Sequence, residues 1–135
     1  MQFLSQEWVE HLAEQLKQDE KYQKKAKGFD SYYQIIAEPD PAKGVTERRA
    51  AGLLLPQATE TWVGIRDKVD YTMTAPYEIF YKIFTGQMGA ILAITSGKAK
   101  IAGNYAKMMR YTAGANMFVQ NMKMMPTEFE GDFGK

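Results

Sequence analysis

The apolar positions along the chain follow two different periods, and the change of period predicts a mixed α/β fold. Between residues 5 and 18, apolar residues recur at helical spacing, in the order Trp8, Val9, Leu12 and Leu16. From residue 32 to residue 73 the sequence consists of aromatic and β-branched runs divided by turn residues, which is typical of strands. Helical spacing returns after Pro76 and is interrupted by a short alternating segment.

These patterns predict an order of helices and strands. The predicted helices are 5–18, 20–27, 76–86, 88–94 and 105–125, the last with an interruption or a kink at Gly114. The predicted strands are 32–38, 45–55, 61–66, 69–73 and 98–102. Strands two and three can form an antiparallel pair, and the reversal at Asp67-Lys68 predicts a hairpin between strands three and four. Together the strands predict one five-stranded sheet.

The segment 85–104 organises the second half of the chain. Gly86 and Gly97 stand where helices end, because glycine enters the left-handed region without a Cβ penalty. The helix between them has no charged residue, so we expect it to be buried and covered from more than one direction. Asn104 is a suitable N-cap for the helix that follows.

This segment resembles the C-terminal half of the sterol carrier protein type 2 family, and the approach to it through Asp70 and Pro76 to Phe80 is also similar. The resemblance implies a stand-alone, prokaryotic-type member with a curved, mostly antiparallel five-stranded sheet, an α/β (α+β) fold with helices covering one face, and an apolar tunnel between the two layers. It also implies one lipid-binding domain over residues 1–125, followed by an acidic tail, 126–135, that we expect to be frayed. The residues that carry the resemblance are Thr85, Gly86, Ala93, Ser96, Gly97, Lys98, Lys100, Ile101, Gly103 and Asn104.

Methionine is concentrated at the end of the chain, where Met108 to Met125 contain six of the nine methionines. Flexible thioether side chains adapt to guests of varied shape, although the same spacing also fits an ordinary core. Together with the family resemblance, this favours a lid of helices over a cavity for a fatty acyl or sterol-like molecule, which binds without chemistry. The candidate lining residues are Ile79, Phe80, Ile83, Phe84, Met88, Ile91, Met108, Met109, Met117, Phe118 and Met122.

The amino-acid composition argues against several other classes of function. The formal net charge is +1, which gives no argument for nucleic acid as a partner. The chain has no cysteine, and its single histidine, His11, falls on the polar side of the first helix. We therefore expect neither a bound metal nor a cofactor, because no helical pair of histidines and no thiolate is available.

Two alternative functions follow from other residues. Asp67 and Asp70 could form a carboxylate pair for a small acid–base enzyme acting on an apolar carbonyl substrate, although aspartate is common in turns. The methionine-rich helices could instead dock another protein, and the sequence leaves monomer or homodimer open. Arg48 and Arg49 are expected on the wet face of a strand, where one of them could hold a carboxylate head group.

The first residues, 1–7, lack the basic and long apolar regions of a secretion signal, so a cytoplasmic location is expected. The longest uncharged apolar run is far shorter than the roughly 20 residues needed to span a bilayer, so we expect no stable membrane insertion.

Overall fold

A computed structural model describes residues 1–135 as one open five-stranded sheet with six α-helices. The strands are β1 (Ser31–Glu38), β2 (Arg49–Leu55), β3 (Thr61–Val63), β4 (Tyr71–Pro76) and β5 (Lys100–Ala102). The helices are α1 (Gln6–Gln18), α2 (Glu20–Lys25), α3 (Tyr77–Phe84), α4 (Ala90–Thr95), α5 (Tyr105–Met109) and α6 (Thr112–Lys123). Short 3-10 turns occupy Pro41–Lys43 and Gly131–Gly134.

The first helix forms as its sequence predicts. The Ser5 hydroxyl accepts a hydrogen bond from the Trp8 backbone N–H at 3.2 Å, which satisfies one of the unpaired donors at the helix start. Trp8, Val9, Leu12 and Leu16 are all buried, so the whole predicted stripe faces the core. Helix α1 packs over β2 and β3.

The sheet has the order β3-β2-β1-β4-β5, and this order corrects the predicted hairpin. Strand β2 pairs antiparallel with β1 and β3, as predicted for β3, whereas β4 pairs parallel with β1 and antiparallel with β5. Residues 64–70 therefore cross from one edge of the sheet to the far side of β1. Three strand spacings amount to about 14 Å, a distance that seven residues cover easily.

Gln34 fixes this crossing on the face of the sheet opposite to the helices. Its side-chain oxygen accepts from the Arg66 backbone N–H at 2.7 Å, and its amide donates to the Arg66 carbonyl at 3.2 Å. The Arg66 guanidinium also lies 4.0 Å from the centre of the Trp62 ring. A tight reversal at Asp67 was expected, but the buried glutamine redirects the chain across the strands.

Helix α4 is the main correction to the predicted packing. Only Ala93 is buried, whereas Ile91 and Leu92 expose 57% and 61% of their surface. The expectation that this helix is covered from several directions is therefore wrong. The chain leaves one side of α4 open, although the glycines that end α3 and α4, Gly86 and Gly97, have the expected left-handed conformation.

The predicted break in the last helix lies earlier than expected. Helix α5 ends at Met109, and Gly114 lies inside α6. A Cβ on Gly114 would stand 3.1 Å from the Cβ of Ala26, so this glycine allows α6 and the end of α2 to approach closely. Gly114 therefore serves helix packing and does not interrupt the helix.

The segment 126–135 is packed against the domain, which corrects the expected frayed tail. Phe129 stacks on Tyr81 with the ring centres 5.1 Å apart, and the Glu130 carboxylate accepts two hydrogen bonds from Arg49, at 2.9 and 2.6 Å. These aromatic and ionic contacts hold a segment whose acidic composition suggested a solvated end. The domain limit at residue 125 remains a prediction.

Candidate functional site

An apolar pocket lies between the helix side of the sheet and helices α2, α4, α5 and α6. We call it the main pocket, and it encloses about 130 Å³. The sheet contributes residues from four strands, and the helices and the segments next to them contribute the rest. The wall consists of Tyr22, Ala26, Phe29, Tyr33, Leu55, Met73, Ala90, Ile91, Ile94, Ile101, Tyr105, Met108, Met109, Tyr111, Thr112, Gly114, Ala115, Asn116, Phe118 and Val119.

The main pocket reaches the surface between α4 and α5. Three of its wall residues, Ile91, Tyr105 and Met109, each expose about half of their surface. Leu92 is exposed beside Ile91 on the same helix. The pocket mouth is therefore bordered by apolar side chains that no part of the chain covers.

A second, smaller pocket of about 30 Å³ adjoins the first one deeper in the molecule. We call it the small pocket. It lies under α3, beside Phe80, Ile83 and Phe84. The two pockets share part of their walls. The shared residues are Tyr33, Met73, Ala90, Phe118 and Val119.

Four tyrosines but no charged side chain line the main pocket. Tyr33 and Tyr22 expose only 7% and 1% of their surface. Burial raises the pKa of the Tyr33 hydroxyl, and burial together with the nearby Tyr33 raises the pKa of Tyr22. Both hydroxyls therefore keep their protons at neutral pH and are available as hydrogen-bond donors.

One basic side chain, Lys107, lies next to a wall residue of the main pocket. Lys98, Lys100, Lys107 and Arg110 follow α4 in the chain, and none of the four takes part in an ion pair. The Lys107 ammonium lies 5.8 Å from the ring centre of Phe29, which lines the pocket. A cationic group of a guest is therefore disfavoured beside Lys107, whereas a neutral or anionic group is compatible with it.

The candidate lining residues divide among three places. Ile91, Met108, Met109 and Phe118 lie on the wall of the main pocket. Three others, Ile79, Met88 and Met117, border neither pocket and instead pack as half-buried residues against the core. Those that border the small pocket are Phe80, Ile83, Phe84, Phe118 and Met122.

Sequence reasoning missed the contribution of α2 and of the residues just after it. Tyr22, Ala26 and Phe29 form one side of the main pocket, opposite α5 and α6. The signal available was the single tyrosine on the otherwise polar α2, which had to face an apolar region. The pocket requires a contact between distant segments that the sequence pattern does not encode.

The residues of the alternative functions lie elsewhere. Asp67 and Asp70 are exposed and border neither pocket, and an Asp70 carboxylate oxygen accepts from the Tyr32 backbone N–H at 2.8 Å. They do not form the carboxylate beside an apolar pocket that the acid–base alternative requires. Arg48 pairs with Glu38 and Arg49 with Glu130, while His11 is exposed.

The methionine-rich helices do not present one continuous apolar face. Met122 and Met125 are buried, whereas Met124 exposes 71% of its surface. No group of three acidic or histidine side chains is placed to hold a metal ion. None of the helices is both long enough and apolar enough to cross a membrane.

Comparison with known proteins gives one family and several similar structures. Residues 9–115 match the family model described as the SCP-2 sterol transfer family. A comparison with curated protein sequences gave no match.

Three solved structures illustrate the similarity of fold. A crystal structure of sterol carrier protein 2 is 19% identical, with a TM-score of 0.81 over 92% of this chain and 99% of that one. A Thermus thermophilus protein, described as possibly a sterol carrier protein, is 19% identical, with a TM-score of 0.79 over 91% and 89% of the two chains. The palmitated sterol carrier protein 2-like 2 of Aedes aegypti is 14% identical, with a TM-score of 0.58 over 87% and 94%.

Proposed function

Because the chain belongs to the SCP-2 sterol transfer family, we propose that it binds and transfers an apolar small molecule, of acyl or sterol-like type, without altering it chemically. The observation that carries the proposal is the main pocket, whose wall is apolar and opens to the surface between α4 and α5. We place this activity in the cytoplasm, with the guest as the principal partner. The palmitated structure of a protein with a similar fold supports an acyl chain as one kind of guest.

The exposed apolar side chains at the pocket mouth offer such a guest a way into the pocket. Ile91 and Leu92 present apolar surface to solvent, so a chain can leave water before it reaches the interior. Each Å² of apolar area removed from water contributes about 25 cal/mol. A guest that buries roughly 200 Å² therefore gains about 5 kcal/mol before the ordering costs of association are subtracted.

The size of the pocket limits what it holds without rearrangement. Its volume of about 130 Å³ is close to that of a cavity of roughly 150 Å³ that binds benzene in another protein. A long acyl chain exceeds this space. It must either extend through the mouth or displace the shared wall at Met73 and Phe118 and enter the small pocket.

Two alanines of α6 provide a matched test of this proposal. Ala113 and Ala115 are both exposed, but only Ala115 lines the main pocket. We expect Ala115→Phe to weaken the binding of a fluorescent fatty acid about 10-fold or more, because the added ring occupies the space of the guest. Ala113→Phe should bind like the wild type. The measurement is a fluorescence titration, with thermal unfolding of both variants as a check of folding.

Two results would contradict the proposal. One is a wild-type protein that binds no fluorescent fatty acid at micromolar to millimolar concentration. The other is equal binding by both variants, because the main pocket would then not be the site. Native mass spectrometry of freshly purified protein adds an independent readout: an added mass of a few hundred daltons per chain is expected, and a homodimer without added mass would favour a protein-docking role.

A further inference from the structure

The Tyr33 hydroxyl lies within the apolar interior and has only a weak hydrogen-bond partner. The side chain borders both pockets, and 7% of its surface is exposed. Its hydroxyl donates only to the Met73 thioether sulfur, at 3.8 Å. Sulfur of this kind is a weak acceptor, so the hydroxyl retains most of its capacity to donate a hydrogen bond.

The surroundings determine which acceptor suits this donor. No Lys, Arg or His lines either pocket, so an ionised carboxylate held there would have no counter-charge, and burying an unpaired charge is strongly unfavourable. An uncharged oxygen avoids this penalty and replaces the weak contact with Met73. A pure hydrocarbon, in contrast, would exclude water from the hydroxyl and give it no acceptor.

We propose that the guest of the main pocket carries an uncharged oxygen acceptor, such as a ketone, ester or ether oxygen, which accepts a hydrogen bond from the Tyr33 hydroxyl. This inference rests on the function proposed above. Tyr33 is then a residue that determines specificity, and Tyr22 on α2 is a second buried tyrosine on the wall of the same pocket. Because burial raises the pKa of Tyr33, its hydroxyl donates throughout the neutral pH range.

Acetophenone and ethylbenzene are suitable probes, because they are close in shape and differ in a carbonyl group. Both are volatile, so headspace gas chromatography gives their free concentrations over a protein solution. Tyr33→Phe removes the hydroxyl and keeps the ring. We expect this change to reduce the preference for acetophenone over ethylbenzene by about 10-fold, because the hydrogen bond to the carbonyl is lost. Tyr81→Phe, outside both pockets, is the matched control and should leave the preference unchanged.

The carbonyl stretching frequency of bound acetophenone tests the hydrogen bond itself. A lower frequency in the wild type than in Tyr33→Phe is expected, and a merely structural role of Tyr33 would not produce this shift. If Tyr33→Phe does not fold, the frequency in the wild type still decides: a value equal to that in a hydrocarbon solvent overturns the inference.

The remaining outcomes separate this inference from the proposed function. If acetophenone and ethylbenzene bind and Tyr33→Phe leaves their ratio unchanged, the guest does not use Tyr33, while the pocket remains a binding site. Benzoate, measured by equilibrium dialysis, should bind less tightly than acetophenone, and tighter binding would show that the acceptor is charged. If no probe and no fatty acid binds the wild type, both proposals are wrong.

Discussion

At the scale of single residues, the Trp62 ring packs directly on the Gly52 backbone. Gly52 lies in the middle of β2, directly opposite Trp62 in the antiparallel register with β3. A Cβ at this position would overlap the Trp62 ring, which itself lies under the Arg66 guanidinium. The ring therefore depends on the missing side chain for its position on the outer face of the sheet.

Gly52→Ala should lower the free energy of unfolding by about 1–3 kcal/mol, because the added methyl group displaces the Trp62 ring. Gly89→Ala is the control: its Cβ would meet open space and its backbone is extended, so its effect should stay below about 1 kcal/mol, the cost of replacing glycine by alanine at the N-cap of α4. Urea denaturation monitored by tryptophan fluorescence measures both. Equal stability of the two variants would mean that Trp62 does not pack on the strand.

Residues whose role is local were predictable from the sequence. The Ser5 and Asn104 side chains cap α1 and α5 as expected, because capping needs only neighbouring backbone groups. Tyr22 and Tyr33 are different. Their positions on the wall of the main pocket depend on how α2 and β1 meet α6, and no short-range pattern contains that information.

At the scale of elements, α4 shows where pattern reasoning fails. An apolar helix was expected to be covered, because exposed apolar area is unfavourable in water. That reasoning assumes that the covering partner belongs to the same chain. Ile91 and Leu92 instead remain exposed beside the pocket mouth, so the exception coincides with the candidate functional site.

The C-terminal segment shows the opposite error. Its three acidic residues, Glu128, Glu130 and Asp132, suggested a solvated end, but Phe129 and Phe133, which directly follow two of them, dock on α3. The Trp8 indole N–H also donates to the Thr127 hydroxyl at 2.9 Å. Alternation of acidic and aromatic residues was the available signal, and it indicates a segment with one packed side.

Phe129→Ala should therefore lower the free energy of unfolding by about 2 kcal/mol, less than for a fully buried phenylalanine. The change removes three aromatic contacts: the stacking on Tyr81, a tilted contact with Phe3 and an edge contact with Tyr77. Asp132→Ala, an exposed change in the same segment, is the control and should have little effect. Chemical denaturation compares them, and an unchanged stability of Phe129→Ala would restore the expectation of a frayed tail.

At the scale of the whole molecule, the five strands and most helices were predictable, but the strand order was not. Periodicity identifies strands because it is a local property of side-chain placement. The position of β4 beside β1 depends on the crossing segment that Gln34 binds. Gln34 is a polar residue, and its burial could not be predicted from the sequence. Without the contact between Gln34 and Arg66, a hairpin is the simplest interpretation of Asp67-Lys68.

The helical layer is joined by a polar contact that makes its stability depend on pH. The Asp19 carboxylate accepts from the Asn121 side chain at 2.9 Å and from the Tyr22 backbone N–H at 3.0 Å, and so links the α1–α2 corner to α6. The hydrogen bond from Asn121, followed by that from Tyr22, lowers the pKa of Asp19 below its ordinary value. Asn121 is itself buried.

The direction of the pH effect follows from this lowered pKa. As the pH falls below the ordinary value for aspartate, the unfolded chain takes up a proton at Asp19 before the folded protein does, so the folded state loses stability. The contribution of the carboxylate is complete above the unfolded pKa and is lost as the pH falls through the folded pKa. Asp19→Ala should cost about 1–2 kcal/mol at pH 7, because the cap is lost and one of the two Asn121 amide N–H groups loses its acceptor, while the other still donates to the Met117 carbonyl. Urea denaturation at pH 7 and at decreasing pH below 4 should show this difference from the wild type becoming smaller, whereas a difference that grows on acidification would exclude the ionised carboxylate as the group that holds α6 to the corner.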